Sequence, residues 1–184
     1  PVGNGINLKL GVWDCPMGYE AQNATDNPNY TRSWGHTVEP TQHTGLLANY
    51  KVNDWLSIAG AIANTYDSVI NGRAPGQTMK TYTGVITLTA PESFGALKGA
   101  TLTGAAIDGR TTGGGPPDRT AIYVGATIPT PVEGLAAGLA WDHVNFADSA
   151  TNPNTHDTDV IGAYVTYKAT EKLTLSGRAE YMHL

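Results

Sequence analysis

The stretch Asp159–Leu184, DVIGAYVTYKATEKLTLSGRAEYMHL, reads as two strands joined by a tight turn. In the first, Ile161, Ala163, Val165, Tyr167 and Ala169 share one parity, and Gly162, Tyr164, Thr166 and Lys168 share the other. After the turn at 170–172, Leu173, Leu175, Gly177, Ala179 and Tyr181 alternate with Thr174, Ser176, Arg178 and Glu180. Successive side chains of a strand point to opposite faces. The hairpin therefore has one apolar face and one polar, charged face. Strands of roughly ten residues, with Tyr near the ends of the apolar face, are the repeating unit of a transmembrane β-barrel.

The rest of the chain reads as more copies of that unit. Alternation and turn residues mark nine strand-like segments, at about 5–14, 43–52, 55–66, 80–90, 99–109, 119–129, 134–146, 158–169 and 172–184. The connections at 53–54, 91–98, 130–133 and 170–171 are short or moderate. Those at 15–42, 67–79, 110–118 and 147–157 are longer and rich in Asn, Gly, Pro, Asp and Thr. Short turns on one side and long loops on the other are what an up-and-down barrel makes across a membrane. The expectation is an all-β, transmembrane antiparallel up-and-down β-barrel, porin-like, with residues 1–184 in a single barrel domain and a long extracellular loop at about 15–42. The first segment runs outward, the second returns, and the ninth runs outward again. Nine such strands cannot close by antiparallel pairing, and lipid does not tolerate open sheet edges. We therefore expect an incomplete portion, about nine strands, of a longer barrel.

Parity along the whole chain tests this reading. The lipid-facing set begins Ile6, Leu8, Leu10 and Val12 and continues through Leu46, Tyr50, Ile58, Ile62, Tyr82, Ile86, Leu102, Ile122, Val124, Leu139 and Trp141. The opposite set holds Asn7, Asn49, Ser57, Thr81, Thr83, Thr87, Thr101, Thr103, Thr127, Thr174 and Ser176. Lys9, Lys51, Lys168, Arg178 and Glu180 lie within strands, and all fall on the polar parity, which makes them the pore-lining candidates. A Lys or Arg at mid-bilayer on the lipid face would cost about 2–4 kcal/mol, so this sorting follows from a barrel. Asp14, Asp108 and His143 fall on the apolar parity, but at the outer ends of their strands, where the cost fades. A soluble β-sandwich also alternates. Against it stand the many outward Ala and Gly, the long and numerous strands, and a girdle of Tyr50, Trp55, Tyr82, Trp141, Tyr167 and Tyr181 near strand ends.

Composition bounds the rest. Charged residues are 15 % of the 184, below the roughly 25 % of a soluble domain. The net charge of −5 carries no signature for nucleic acid, which is excluded as a partner. The longest run of apolar residues and Gly, Gly134–Trp141, is far short of the roughly 20 residues of a membrane helix. Pro1-Val2-Gly3-Asn4 has neither a basic start nor an apolar core, so an exported chain implies processing or a missing start. The lone Cys15 excludes an internal disulfide and CxxC metal or haem sites.

No catalytic constellation emerges. His36, His43, His143, His156 and His183 lie in different segments with no helical pair for zinc, and no serine has a GxSxG context. Gly113–Pro117 precedes neither a helix nor a Lys-Ser/Thr, so it is a flexible loop and not a phosphate cradle. Asp148–Asp159 is oxygen-rich, and a solvated loop is favoured there over weak calcium binding. We expect no catalytic residue, no metal and no cofactor.

The segment from Gly11 to Asp67 is the most specific. It holds Pro16-Met17-Gly18-Tyr19-Glu20, Tyr30-Thr31-Arg32-Ser33, Glu39-Pro40-Thr41-Gln42-His43-Thr44-Gly45, Leu46–Tyr50, Asn53-Asp54 and Asn64–Asp67. This order resembles the OmpL-like β-barrel porins of bacteria: a strand, a Pro-x-Gly-x-Glu corner, a Tyr-Ser/Thr-Arg-Ser segment, then Glu-Pro-x-x-His-Thr-Gly entering the next strand. The resemblance implies an outer-membrane porin fold with no cofactor. The first loop, with Glu20, Arg32, His36, Glu39 and His43, either folds into the lumen as a constriction or covers the barrel mouth. The expected function is passive diffusion of small hydrophilic solutes or ions across a bacterial outer membrane. The expected surroundings are that lipid bilayer and a homo-oligomer, such as a trimer, or partner outer-membrane proteins. The alternatives are a structural outer-membrane barrel that anchors or surrounds a partner, a barrel enzyme with a Ser-His pair at one rim, and a soluble sandwich binding module.

Overall fold

A computed structural model describes residues 5–73, 78–112, 118–146 and 156–184. Nine strands form one sheet in sequence order, every neighbouring pair antiparallel: β1 (Ile6–Asp14), β2 (Gln42–Lys51), β3 (Leu56–Ala63), β4 (Thr81–Thr89), β5 (Thr101–Arg110), β6 (Asp118–Pro129), β7 (Leu135–Phe146), β8 (His156–Lys168) and β9 (Thr174–His183). The sheet is not closed, and β1 and β9 are its edges. This is the expected up-and-down, all-β architecture.

Register preserves the alternation across the whole sheet. One row of directly paired residues runs Ile6, Tyr50, Ile58, Ile86, Gly104, Val124, Trp141, Ile161, Tyr181, one from each strand. The adjacent inward row runs Lys51, Ser57, Thr87, Thr103, Gly125, Ala140, Gly162, Glu180. A slip of one residue anywhere would break both rows, because the side-chain period is 2. The outward row belongs to an apolar band left uncovered by the chain. Leu10 is 87 % exposed, and Ile58, Ile62, Ile86, Leu102, Val124, Leu139, Ile161 and Leu175 are exposed with it. Trp55, Tyr82, Trp141, Tyr167 and Tyr181 of the expected girdle are exposed on this side too.

The buried residues lie on the inward parity. One cluster holds Trp13, Leu47, Ala61 and Ala63, and a larger one holds Cys15, Met17, Tyr66, Ile107, Ala121, Tyr123 and Val144. The inward wall is therefore not uniformly Thr- and Ser-lined, as the sequence alone suggests. It carries Ile107 and Val144, which pack with the loop residues Cys15, Met17 and Tyr66, Trp13 and Leu47, which pack with the strand residues Ala61 and Ala63, and the buried Val160. Thr87 and Thr103, hydrogen-bonded through their hydroxyls at 3.1 Å, belong to the remaining hydroxyl-lined part.

Local chemistry sets the short turns. Asn53 Oδ1 accepts from the backbone N–H of Trp55 and of Leu56, at 3.0 and 2.8 Å, an Asx turn. Thr170 Oγ1 accepts from Lys172 and Leu173 in the same way. Gly134, with φ +77°, closes the turn before β7, a conformation that disfavours residues with a Cβ. Two details differ from expectation. β3 ends at Ala63 rather than 66, because Asn64–Asp67 turns away and the Asp67 carboxylate accepts from Thr112 N at 2.9 Å. The first loop contains a one-turn helix, α1 (Trp34–Val38), capped by Ser33 Oγ accepting from His36 N at 3.0 Å. A single turn is too short to show a periodicity.

Polar residues on the outward parity are paired across strands at the long-loop ends. Thr120 Oγ1 donates to Asp108 at 2.7 Å, Gln42 Nε2 to Asp14 at 3.1 Å, and His143 Nδ1 lies 3.1 Å from Asp159. The Gly113–Pro117 segment and most of Asp148–Asp159 lie outside the described residues.

Candidate pore constriction

The first loop leaves β1 at Cys15 and re-enters β2 at Gln42, and it closes at its root where Cys15 N donates to Thr41 O at 2.9 Å. Its far side does not stay over these two strands. It lies against β6 to β9, at the other edge of the sheet, and is fastened there by three separate contacts.

The first fastening is Arg178 on β9. Its Nη1 donates to Glu20 Oε1 at 2.8 Å and to Thr31 O at 2.6 Å. Nη2 donates to Thr31 Oγ1 at 3.1 Å and to Arg32 O at 2.7 Å, and Nε meets Glu180 Oε2 at 2.7 Å. Five N–H groups thus find five acceptors, a planar fan that only guanidinium supplies. Glu180 Oε1 accepts from Trp34 N at 2.6 Å, and Glu20 Oε2 from Ser33 N at 3.2 Å. Arg32 Nη1 lies 3.8 Å from Glu20 and also donates to Ala21 O at 2.5 Å.

The second fastening is aromatic. Tyr19 stacks on Tyr164 of β8, centroids 4.0 Å apart and planes at 19°. Thr127 Oγ1 of β6 donates to Tyr19 Oη at 3.3 Å. Glycines in the wall let these rings lie flat. A Cβ on Gly138 would sit 1.8 Å from Tyr19 Oη, one on Gly125 1.8 Å from Tyr123 Oη, and one on Gly162 2.9 Å from the Tyr164 ring.

The third fastening joins two acids. Glu39 of the loop hydrogen-bonds to Asp142 of β7, and both are buried. Burial, the bond to Asp142, and the charges of Asp142 and Glu20 hold the Glu39 carboxyl well above the usual carboxylate range. Two glycines make room: a Cβ on Gly18 would fall 2.2 Å from Glu39 Oε2, and one on Gly35 2.6 Å from Asp142 Oδ2. Beside them, burial pushes the Cys15 thiol up to about 12 and also raises the Tyr66 phenol. Burial and the nearby Arg32 push the His36 imidazole down.

The sequence-derived candidates thus divide. Glu20, Arg32 and Glu39 of the loop, with Arg178 and Glu180 of the wall, come together in one network. His36 sits on α1 beside it. His43 lies apart, in β2, fully buried against Trp13 with centroids 5.1 Å apart and its Nδ1 3.1 Å from Thr65 O. Lys9, Lys51 and Lys168 are exposed on the inward parity away from the network, Lys51 paired with Asp54 at 2.7 Å. Tyr19, Tyr164, Gly18, Gly35 and Asp142 are the members that sequence reading missed. Asp142 stood on the polar parity between Trp141 and His143, and parity alone could have flagged it as an inward carboxyl.

An antiparallel up-and-down sheet with an apolar outer band and a loop carried across its inner side defines a porin-type β-barrel protein. A family model agrees: the one described as "Putative beta-barrel porin-2, OmpL-like" matches residues 1–184, and the chain belongs to that family. The family implies a membrane-embedded barrel. No curated protein and no solved structure matches the chain.

Proposed function

We propose that the protein is a diffusion pore for small hydrophilic solutes or ions in a bacterial outer membrane, with the first loop as its constriction. The observation that carries this reading is the Arg178–Glu20 contact. A loop rooted between β1 and β2 is bound to β9, at the opposite edge of the sheet, so it crosses the space that the curled sheet surrounds. A segment held in that position narrows the passage and sets charged groups beside it. Transport of this kind needs no chemistry from the protein, only a polar route through an apolar band. Thr87, Thr103, Thr127 and Ser57 on the inward parity supply neutral hydroxyls, and Lys9, Lys51 and Lys168 supply cations.

The test is single-channel recording in planar bilayers with the full-length protein. Stepwise conductance is expected, and deletion of residues 21–38 should raise the unit step. Absence of any step in bilayers that contain folded protein would overturn the diffusion reading.

A further inference from the structure

The contact between Glu39 and Asp142 is unlike the other two fastenings, because two carboxylates cannot bond to one another. One of them must hold a proton. Glu39 Oε2 and Asp142 Oδ1 are both buried, and neither meets a hydrogen-bond donor from any other described residue. Glycines at 18 and 35 let loop and helix close down on the pair.

We propose that the Glu39–Asp142 pair is a proton-operated latch, which keeps the first loop docked across the barrel while the pair shares a proton and releases it when both carboxyls are ionised.

The surroundings decide the sign. Glu20 on the loop and Glu180 on β9 add negative charge around the pair. The cations near it are engaged: Arg178 with Glu20 and Glu180, Arg32 beside Glu20, and Arg119 of β6 over the Tyr66 ring, 5.7 Å from its centroid. His36 on α1 is held toward its neutral form. The phenols facing the pair, Tyr66 after β3 and Tyr123 on β6, add no charge, and neither does the buried Cys15 thiol. With the cations near the pair among the described residues engaged elsewhere, a second ionisation puts two like charges in contact inside a buried site. A carboxyl raised on docking makes docking strongest below the ordinary carboxylate range. Docking then weakens as pH climbs through the raised value. The loop is therefore shut in acid and freed toward alkali. The latch concerns the position of the loop. Only its effect on current rests on the diffusion reading.

Two readouts separate the two. In chelator-containing buffer, conductance of the wild-type barrel should step up between acidic and alkaline pH, while Glu39→Gln stays low throughout, because its amide donates to Asp142 permanently. In detergent-folded protein, labelling of Cys15 by a membrane-impermeant methanethiosulfonate reports loop release directly, since that thiol is buried at the root of the loop. The ratio of wild-type to Glu39→Gln labelling rates, in which the titration of the thiol itself cancels, should rise by up to about tenfold per pH unit, the limit for release of the one shared proton, until release is complete. A flat ratio overturns the latch whether or not current flows. A rising ratio without any current supports the latch and sinks the pore. Asp142→Asn serves in place of Glu39→Gln should the latter fail to fold, and it should show the same loss of pH response.

Discussion

Arg178 and Glu20 are 158 positions apart in the chain and 2.8 Å apart in space. The pair ties β9 to the first loop, with Glu20 buried and Arg178 largely covered, and it anchors the guanidinium fan. Removing the cation leaves Glu20 with only Arg32, at 3.8 Å, and strips Glu180 of its guanidinium partner, a loss of up to about 3–5 kcal/mol. Arg178→Ala should therefore undock the loop, raise the unit conductance and open residues 21–33 to protease. Arg178→Lys should recover little, since one ammonium cannot reach five acceptors in a plane. Equal conductance in all three proteins would show that the loop is not held by this residue.

The outward row gives a second prediction. Ile86 is exposed on the apolar band, paired with Ile58 on one side and Gly104 on the other. Ile86→Arg should lower stability in lipid or micelles by about 2–4 kcal/mol, as a cation facing hydrocarbon does. Ser57→Arg, one strand away but on the inward parity and exposed, should change stability by less than about 0.5 kcal/mol. Denaturant unfolding in vesicles measures both. A harmless Ile86→Arg would remove lipid from that face.

The strands were legible in the sequence because a membrane barrel writes its two faces as a strict alternation. Lys9, Lys51, Lys168, Arg178 and Glu180 all sorted to the inward parity, and the pairing places every one of them there. The loop was legible only in part. Its length and its Glu20, Arg32 and Glu39 were visible, but their partners lie on strands more than a hundred residues away. Nothing local in Glu39 announces that it will meet another acid. His43 misled in the other direction: it is adjacent to the loop in sequence, but β2 begins at Gln42, and its parity turns the ring onto Trp13. Gly138 carries no periodic signal at all, since what it accommodates is the Tyr19 ring from the first loop, whereas Gly125 makes room for Tyr123, two positions before it on the same face of β6.

Those glycines give a third prediction. A methyl at Gly125 would meet Tyr123 Oη at 1.8 Å, so the ring of Tyr123 must leave the wall and the buried cluster it belongs to. Gly125→Ala should cost about 1–3 kcal/mol by overpacking. A Cβ at Gly125 also meets the Tyr123 ring carbon Cζ at 2.4 Å, so only loss of the whole ring relieves the clash, and the losses of Gly125→Ala and Tyr123→Ala should be less than additive in the double change. Thermal unfolding in micelles separates the cases. Additive effects of the two changes would mean that ring and glycine do not meet.

Cys15 gives the last. The thiol is buried beneath Met17 and Tyr66, and burial pushes it up to about 12, partly offset by a hydrogen bond from the backbone of Met17. Up to that value the neutral thiol is the form that the packed loop root accepts. Any stability it contributes is present at neutral pH and fades only as pH rises toward 12. Since the thiolate is the nucleophile, the folded Glu39→Gln protein, whose loop stays latched, should react at pH 8 with a soluble disulfide reagent far more slowly than the same chain in denaturant. Arg178→Ala should speed the reaction, because the loop that covers the thiol is then unfastened. Rapid labelling of the folded Glu39→Gln protein at pH 8 would show that the root of the loop is open even when latched, and with it the path across the barrel.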